Sequence, residues 1–367
     1  MKNSYTTIFY GALGKRKKHI VGGGETGNHR TIQLLEKNNI NVIKVYKPYP
    51  KKNFVGYLVY ALQMFFKLLT FTFVLVSNPK VKIVHISGFY LHLIYHEFFL
   101  ILLSRLFGKR CVYELRGGGV TEAFHKRSIF YRLFFKGAVN CASIVLCQGK
   151  SYINFLRTLS KAKIVHYPNY ILADFLPGKI QEVRHSESVV HLVYFGRIVQ
   201  SKNPEFLLDV CSQLKSDNFK FDLEIIGSGE QSYINNLFSQ IKKLDLEESV
   251  RIKKQLLNGQ LQKVLRNKHF FLFPSKEKRE GHSNSLTEAM ALGIVPICSN
   301  VGFNKEIVGN ENLVVNDYDV KTYANKIKDL WESGKWNAFS NDVSSRINEN
   351  YTEKKAEKII IDSYSFV

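Results

Sequence analysis

Acidic residues are scarce in the first half of this chain. Residues 1–175 hold 6 Asp+Glu against 26 Lys+Arg, whereas 176–367 hold 25 against 26, so nearly all of the net charge of +21 belongs to one half. Such a half is drawn to anionic surfaces: a membrane, a lipid diphosphate or nucleic acid, with a solubilising face as the plain alternative. Cysteine is sparse and unpaired in pattern. Cys111, Cys141, Cys147, Cys211 and Cys298 are an odd number with no C-x-x-C spacing, which argues against a zinc site or a disulfide framework and for reduced cytosolic thiols. Met1 to Thr7 lack the apolar stretch and small-residue cleavage site of a signal peptide, so action on the cytoplasmic side is expected. No internal repeat, low-complexity tract or recognised RNA- or DNA-binding motif is evident. Most aromatics sit in apolar helical runs rather than between basic residues, which disfavours a nucleic-acid binder.

Long apolar runs are also few. Val55 to Val76 is the one candidate membrane span, and Lys67 interrupts it, leaving flanks shorter than the roughly 20 apolar residues a bilayer requires. Val55, Leu58, Ala61, Leu62 and Phe65 recur at helical period and predict a buried face. The same stretch, rich in Tyr, Phe and Leu beside Lys47, Lys51, Lys52 and Lys67, also suits partial immersion in a headgroup layer.

What is present is α/β alternation. A length of 367 residues suits two domains. Strands are predicted at Thr6–Ala12, Val42–Val45, Val81–Ile86, Arg110–Leu115 and Ser143–Cys147, with helices between them, and then again from Val189–Phe195 through Phe221–Ile226, Val250–Lys253 and Phe270–Pro274. This alternation implies parallel, doubly wound sheets. The polar segment Pro177–Ser188 is placed as the domain boundary, giving a first domain over 1–176 and a second over 185–350. Residues 351–367 read as a helix.

The segment Ser275-Lys-Glu-Lys-Arg-Glu280-Gly-His-Ser-Asn-Ser-Leu-Thr-Glu288 places two carboxylates eight positions apart, across a polar loop that runs into a helix. Ser283 or Asn284 can cap that helix near Ser285, and Gly293 can end it. Its N-terminus points unpaired N–H groups at whatever sits beside Gly281 to Asn284, a natural place for phosphate or sugar hydroxyls. A carboxylate there is a good acceptor for a vicinal diol. The plain alternative is a solvated Glu280 and a Glu288 that complements the helix dipole.

Phe195-Gly196-Arg197-Ile-Val-Gln-Ser-Lys202-Asn-Pro closes the first strand of the second domain and opens a helix, so two cations can sit against a diphosphate. Gly227-Ser-Gly229 lacks the third glycine of a dinucleotide fingerprint and reads as a turn near a nucleotide. Asp317-Tyr-Asp319 could be a metal–nucleotide motif, but Asp319 reads better as a helix N-cap.

Gly-Arg-x4-Lys, then Glu-Ile-Ile-Gly-Ser-Gly-Glu230, then Glu280-x7-Glu288 with Glu-Ala-Met-Ala-Leu-Gly stand in the order found in retaining glycosyltransferases of family 4 (group 1), which the chain resembles over nearly its whole length. The resemblance implies the GT-B architecture, two Rossmann-like domains facing across a cleft, with the final helix, 351–367, packing back on the first domain. It implies Arg197 and Lys202 at the leaving nucleoside diphosphate, Glu280 on donor-sugar hydroxyls and Glu288 on the ribose. The donor site would further include Gly196, Gly281, His282, Ser283, Asn284, Ser285 and Leu286, chiefly through backbone amides. Neither metal nor cofactor is needed in that scheme, since fixed cations take the developing phosphate charge.

In the first domain Gly22-Gly23-Gly24-Glu25-Thr-Gly-Asn28 opens a helix, and Tyr113-Glu114-Leu-Arg116-Gly117-Gly-Gly119 occupies a strand end. The acceptor site is assigned to Gly23, Gly24, Asn28, Arg116 and Gly117. Relatives often place a histidine or aspartate at that strand end; here Glu114 and Arg116 stand instead, so the acceptor-activating group is open, and Arg116 could meet an acceptor phosphate. His85 reads as a satisfied strand-end residue, and Arg251 to Gln255 lacks a glycine expected in relatives. The resulting expectation is a hexosyltransferase that moves a sugar from UDP- or GDP-sugar to a lipid-linked saccharide in cell-surface polysaccharide assembly, capsule or lipopolysaccharide. It would be peripheral on the cytoplasmic face of the inner membrane, held at an anionic surface through residues 1–175. A sugar-nucleotide epimerase or hydrolase on the same scaffold is the alternative, and nucleic acid is not expected as a partner.

Overall fold

The computed structural model describes residues 5–14, 22–49, 53–175 and 189–366. The chain divides into two compact units, residues 1–168 with 356–367, and residues 169–355. The segment 177–188, read from the sequence as the boundary, lies outside the described residues.

The first unit is built on six parallel strands: β1 (Tyr5–Gly11), β2 (Ile40–Tyr46), β3 (Ile83–Gly88), β4 (Arg110–Leu115), β5 (Ile144–Cys147) and β6 (Lys163–His166). They lie in the order β2-β1-β3-β4-β5-β6. Central strands read as unbroken apolar runs because both sheet faces are covered: every residue of β3 and β5 is buried. Ile8 pairs with Ile43 of β2 on one side and Val84 of β3 on the other. β6 escapes the sequence reading, since Lys163-Ile-Val-His is short and buries only Ile164.

The second unit repeats the plan with β7 (Val190–Ile198), β8 (Phe221–Gly229), β9 (Val250–Lys254), β10 (Phe270–Phe273), β11 (Val295–Ser299) and β12 (Val314–Val315). Their order is β12-β11-β10-β7-β8-β9. Two strands run longer than their apolar cores suggest. β8 continues through Gly227 and Gly229, which were expected to turn, because a Cβ on either would lie 1.8 Å from the Gly196 carbonyl oxygen or 2.0 Å from that of Ile198. The missing side chains let β7 and β8 stay paired to Ile198↔Gly229.

The last helix, Glu353–Phe366, buries Ile360 and Tyr364, and from Ala356 it belongs to the first unit. The Tyr364 hydroxyl meets His85 Nδ1 at 3.0 Å, while Glu357 takes hydrogen bonds from Lys37 at 3.2 Å and Asn38 at 2.8 Å.

The helix Phe54–Ser77 departs most from expectation. Its buried residues are Gly56, Tyr60, Met64, Phe71 and Leu75. The face predicted to be buried, Val55, Leu58, Leu62 and Phe65, is exposed. A helix apolar all round carries no periodic signal that picks its inner face, so packing chose it: Tyr60 and Met64 cluster with Leu93 and Phe89.

Candidate active site

In an open parallel sheet, ligands settle beyond the carboxyl ends of the strands where the strand order reverses. In the second unit that point lies between β7 and β10, which are neighbours in the sheet but far apart in sequence. The two sequence motifs converge on it. After β7, a 3-10 turn Gln200–Lys202 and Asn203 at φ 58° lead into the helix Pro204–Ser216. After β10, Ser275 to Ser283 lead into the helix Asn284–Ala291. The loops are joined by a hydrogen bond from Lys276 N to the Ser201 carbonyl at 2.9 Å.

Lys202 and Glu280 meet in this corner as an ion pair, and both are almost wholly buried, at 6% and 9% exposure. Ser275 Oγ donates to the same Glu280 oxygen at 2.8 Å. Ser275 is held in turn, because its carbonyl accepts from Ser299 Oγ at 2.6 Å and Tyr318 at 2.7 Å. Gly302, at φ 53°, packs so closely that an added Cβ would stand 2.1 Å from the Glu280 carbonyl oxygen. The sequence reading missed this contact; its one hint is a glycine just beyond the strand after the motif.

Arg197 is exposed at the end of β7, and its carbonyl accepts from Tyr194 Oη at 2.6 Å. Burial first, and then the charge of Glu280, push the Tyr194 phenol up, so it remains a donor at neutral pH. Gly196 adopts φ 147°, and a Cβ there would lie 3.9 Å from Ser285 Oγ, which puts the β7 turn beside the start of the Asn284–Ala291 helix. Ser283 caps that helix by accepting from Leu286 N at 3.3 Å, and Gly293 follows it at φ 75°. The first-turn amides therefore open toward Gly196 and Arg197.

The remaining motif residues divide by placement. His282 is buried against the Tyr351 ring, with centroids 4.7 Å apart, and its carbonyl accepts from Asn169 at 2.6 Å, so only its backbone can face a ligand. Leu286 is core. Gly281, Asn284, Ser285 and Glu288 are partly exposed, with Glu288 in the second turn of the helix. Asp319 caps the helix Val320–Glu332 through Thr322 N at 2.7 Å. No group of three or more His, Cys, Asp or Glu suited to a metal occurs among the described residues.

The first unit has its own reversal point between β1 and β3. Two of its assigned residues, Arg116 and Asn28, belong to a buried polar chain there. His85 Nε2 meets Glu114 at 3.1 Å, and Glu114 meets Arg116 at 2.7 Å. Arg116 Nε donates to Ser87 Oγ at 3.2 Å, Ser87 donates to Asn28 at 2.6 Å, and Asn28 donates to the Ala12 carbonyl at 2.8 Å. Arg116 is 3% exposed and Asn28 fully buried. Gly27 lies under the guanidinium, since a Cβ would fall 2.0 Å from Arg116 Nη1. The structure thus turns Arg116 and Asn28 inward, whereas Gly23, Gly24 and Gly117 keep surface. Arg116 turns inward for reasons of charge: Glu114, buried on β4, needs a cation, and Arg116 stands two residues away.

Residues 179–351, within the second unit, match the family model of glycosyl transferases group 1. Among curated proteins, the capsular polysaccharide biosynthesis glycosyltransferase CapH of Staphylococcus aureus is 29% identical over 168 residues, 44% of this chain and 46% of CapH. Protein CapJ of the same organism is 23% identical over 323 residues, 85% of this chain and 75% of CapJ. The chain thus spans less than half of CapH. Among solved structures, sucrose-phosphate synthase from Thermosynechococcus elongatus superposes with a TM-score of 0.76 at 16% identity, covering 98% of both chains. Anabaena Alr3699/HepE in complex with UDP gives 0.73 at 16% identity, covering 99% of this chain and 100% of that one. The fold is GT-B.

Proposed function

We propose that this protein transfers a sugar from a nucleotide-sugar, UDP- or GDP-linked, to a membrane-linked saccharide during cell-surface polysaccharide synthesis, with retention at the anomeric carbon and without a metal. The observation that carries the proposal is the buried Lys202–Glu280 pair at the reversal point of the second sheet. One partner suits phosphate and the other suits sugar hydroxyls. A UDP donor draws support from the HepE complex with UDP-glucose, a neighbour at TM-score 0.69, and the polysaccharide setting from CapH.

In this reading the donor diphosphate lies against Arg197, Lys202 and the first-turn amides of Asn284–Ala291. Glu280 accepts from donor-sugar hydroxyls and Glu288 from the ribose. The bond between the anomeric carbon and the phosphate oxygen breaks, and its electron pair leaves with the nucleoside diphosphate. An acceptor hydroxyl oxygen forms the new bond and passes its proton to the departing phosphate oxygen, which holds the freed electron pair. Charge grows on the departing phosphate, so cations already in place stabilise the transition state more than the ground state. The basic first unit meets the acceptor at an anionic membrane on the cytoplasmic side.

The test is transfer from labelled UDP- and GDP-sugars to lipid-linked saccharide extracted from a polysaccharide-producing cell. Lys202→Ala and Glu280→Gln, each with a native circular dichroism spectrum, are expected to lose transfer; full activity in both would refute the assignment.

A further inference from the structure

The first unit exposes an apolar surface that its own fold does not cover. On the helix Phe54–Ser77, Phe54 is 79% exposed, Phe73 70%, and Leu62 and Phe66 60% each. The helices Ile94–Leu106 and Ile129–Cys141 extend it, with Leu106 at 73% and Phe130 at 66%. The three helices form one layer: Tyr60 and Met64 pack on Leu93, and Phe134 stacks edge-on against Tyr95 and Phe98, 5.0 and 5.2 Å away. At ~150–250 Å² per aromatic side chain, the exposed face is on the order of 1,000 Å². Soluble monomers rarely leave more than a few hundred Å² contiguous.

Charge chooses the occupant. No Asp or Glu stands between Glu36 and Glu97, and Glu97 itself is buried, accepting from Tyr113 Oη at 2.6 Å. Exposed Lys80, Lys82, Arg105 and Arg127 border the three helices, while Lys126 is paired with Glu122 at 2.7 Å. An apolar face with a cationic rim fits a leaflet of anionic lipid, whose acyl region takes the rings while its headgroups take the lysines and arginines.

Topology decides the orientation. Phe54–Ser77 has 24 residues and a mean hydropathy of 1.8 in its most apolar window, about 36 Å of helix and long enough to cross a bilayer. Yet it connects β2 to β3, and both strands flank β1 in a single sheet. A spanning helix would put those strands on opposite sides of the membrane.

We propose that the outer face of Phe54–Ser77, with the exposed ends of its two neighbouring helices, inserts flat into one leaflet of an anionic bilayer as a monotopic anchor. Its purpose rests on the membrane-linked acceptor proposed above, but insertion is measurable without donor or acceptor, so either reading can fail alone.

The experiment is flotation of the purified full chain with vesicles of phosphatidylglycerol and phosphatidylcholine in equal parts, at low salt and at about 1 M NaCl, where Coulomb attraction is screened beyond roughly 3 Å. The comparison is Phe66→Glu/Phe73→Glu, whose side chains are at the surface, with its fold checked by circular dichroism. Wild-type protein is expected to stay on vesicles in high salt, and the variant to bind at least about tenfold more weakly there. Complete release of the wild type by salt would overturn the proposal, as would unchanged binding by the variant. A lipid-free dimer that the variant splits, with no vesicle binding by the wild type, would assign the face to a second copy instead and overturn it too.

Discussion

Lys202 and Glu280, 78 residues apart in the chain, form a buried ion pair. Each comes from a loop at the carboxyl end of a different strand, and the strands are neighbours only because the sheet order reverses between them. The pair joins the phosphate-binding and hydroxyl-binding halves of the proposed donor site.

Removing one partner leaves the other charge buried. Lys202→Ala is expected to cost about 3 kcal/mol of stability, read as a lower urea midpoint at unchanged slope. Lys202→Met/Glu280→Gln should recover most of that loss, because neither buried charge remains, yet show no sugar transfer. A double variant no more stable than Lys202→Ala would mean that the pair contributes little beyond its surroundings.

Gly302 carries a prediction about positioning. In Gly302→Ala the added methyl must push the Glu280 backbone away or strain a residue at φ 53°, costing about 1–3 kcal/mol. Transfer is expected to fall by at least about tenfold with nucleotide affinity less affected, because Arg197, at the end of β7, and Lys202, in the turn after it, belong to the other motif. Equal kcat in the variant and wild type would contradict the contact's importance.

The first unit should show an acid limb of its own. Burial pushes the Glu114 carboxyl up, but Arg116 and His85 outweigh burial and hold it below its ordinary value of 4.5. A carboxylate with a depressed folded pKa contributes stability above about pH 4.5 and loses it as pH falls through the folded value. Glu114→Gln is therefore expected to lower stability at pH 7 by about 3 kcal/mol and to flatten the decline below pH 4.5. Denaturant midpoints between roughly pH 3 and 7 check both; a variant with the wild-type acid slope would count against the network.

His96 titrates in the opposite setting. Burial, with Lys47 and Lys67 nearby, pushes its imidazole down to about 4, so it stays neutral against Tyr10 Oη at 3.1 Å. The unfolded chain takes up a proton near pH 6.5 and the folded chain does not until about 4, so stability falls as pH drops through that window. In His96→Gln the part of the pH 7 to 5 decline due to this residue should vanish. Titration of His96 by NMR near 6.5 would contradict its desolvation.

Much of this was legible in the sequence because parallel sheets buried on both faces spell their strands as apolar runs. Arg110–Leu115 is found at the predicted bounds, and the Glu280-x7-Glu288 loop and its helix lie where capping chemistry places them. What stayed hidden depends on contacts remote in sequence. Gly227 and Gly229 extend a strand because β7 presses on them, and Gly302 matters only for its contact with Glu280. Arg116 was read as facing a ligand because sequence spacing does not show that Glu114 is buried beside it. The inner face of Phe54–Ser77 was misread since an apolar helix has no polar side to mark the outside.

The most direct measurement of the donor-site account is the thermal shift of wild-type protein and of Lys202→Ala with UDP and with GDP, because a ligand that binds only the folded state raises its stability by mass action. The account predicts a concentration-dependent rise for one of the two nucleotides with the wild type and its loss in the variant. An equal rise in both proteins would place the nucleotide elsewhere and contradict the account.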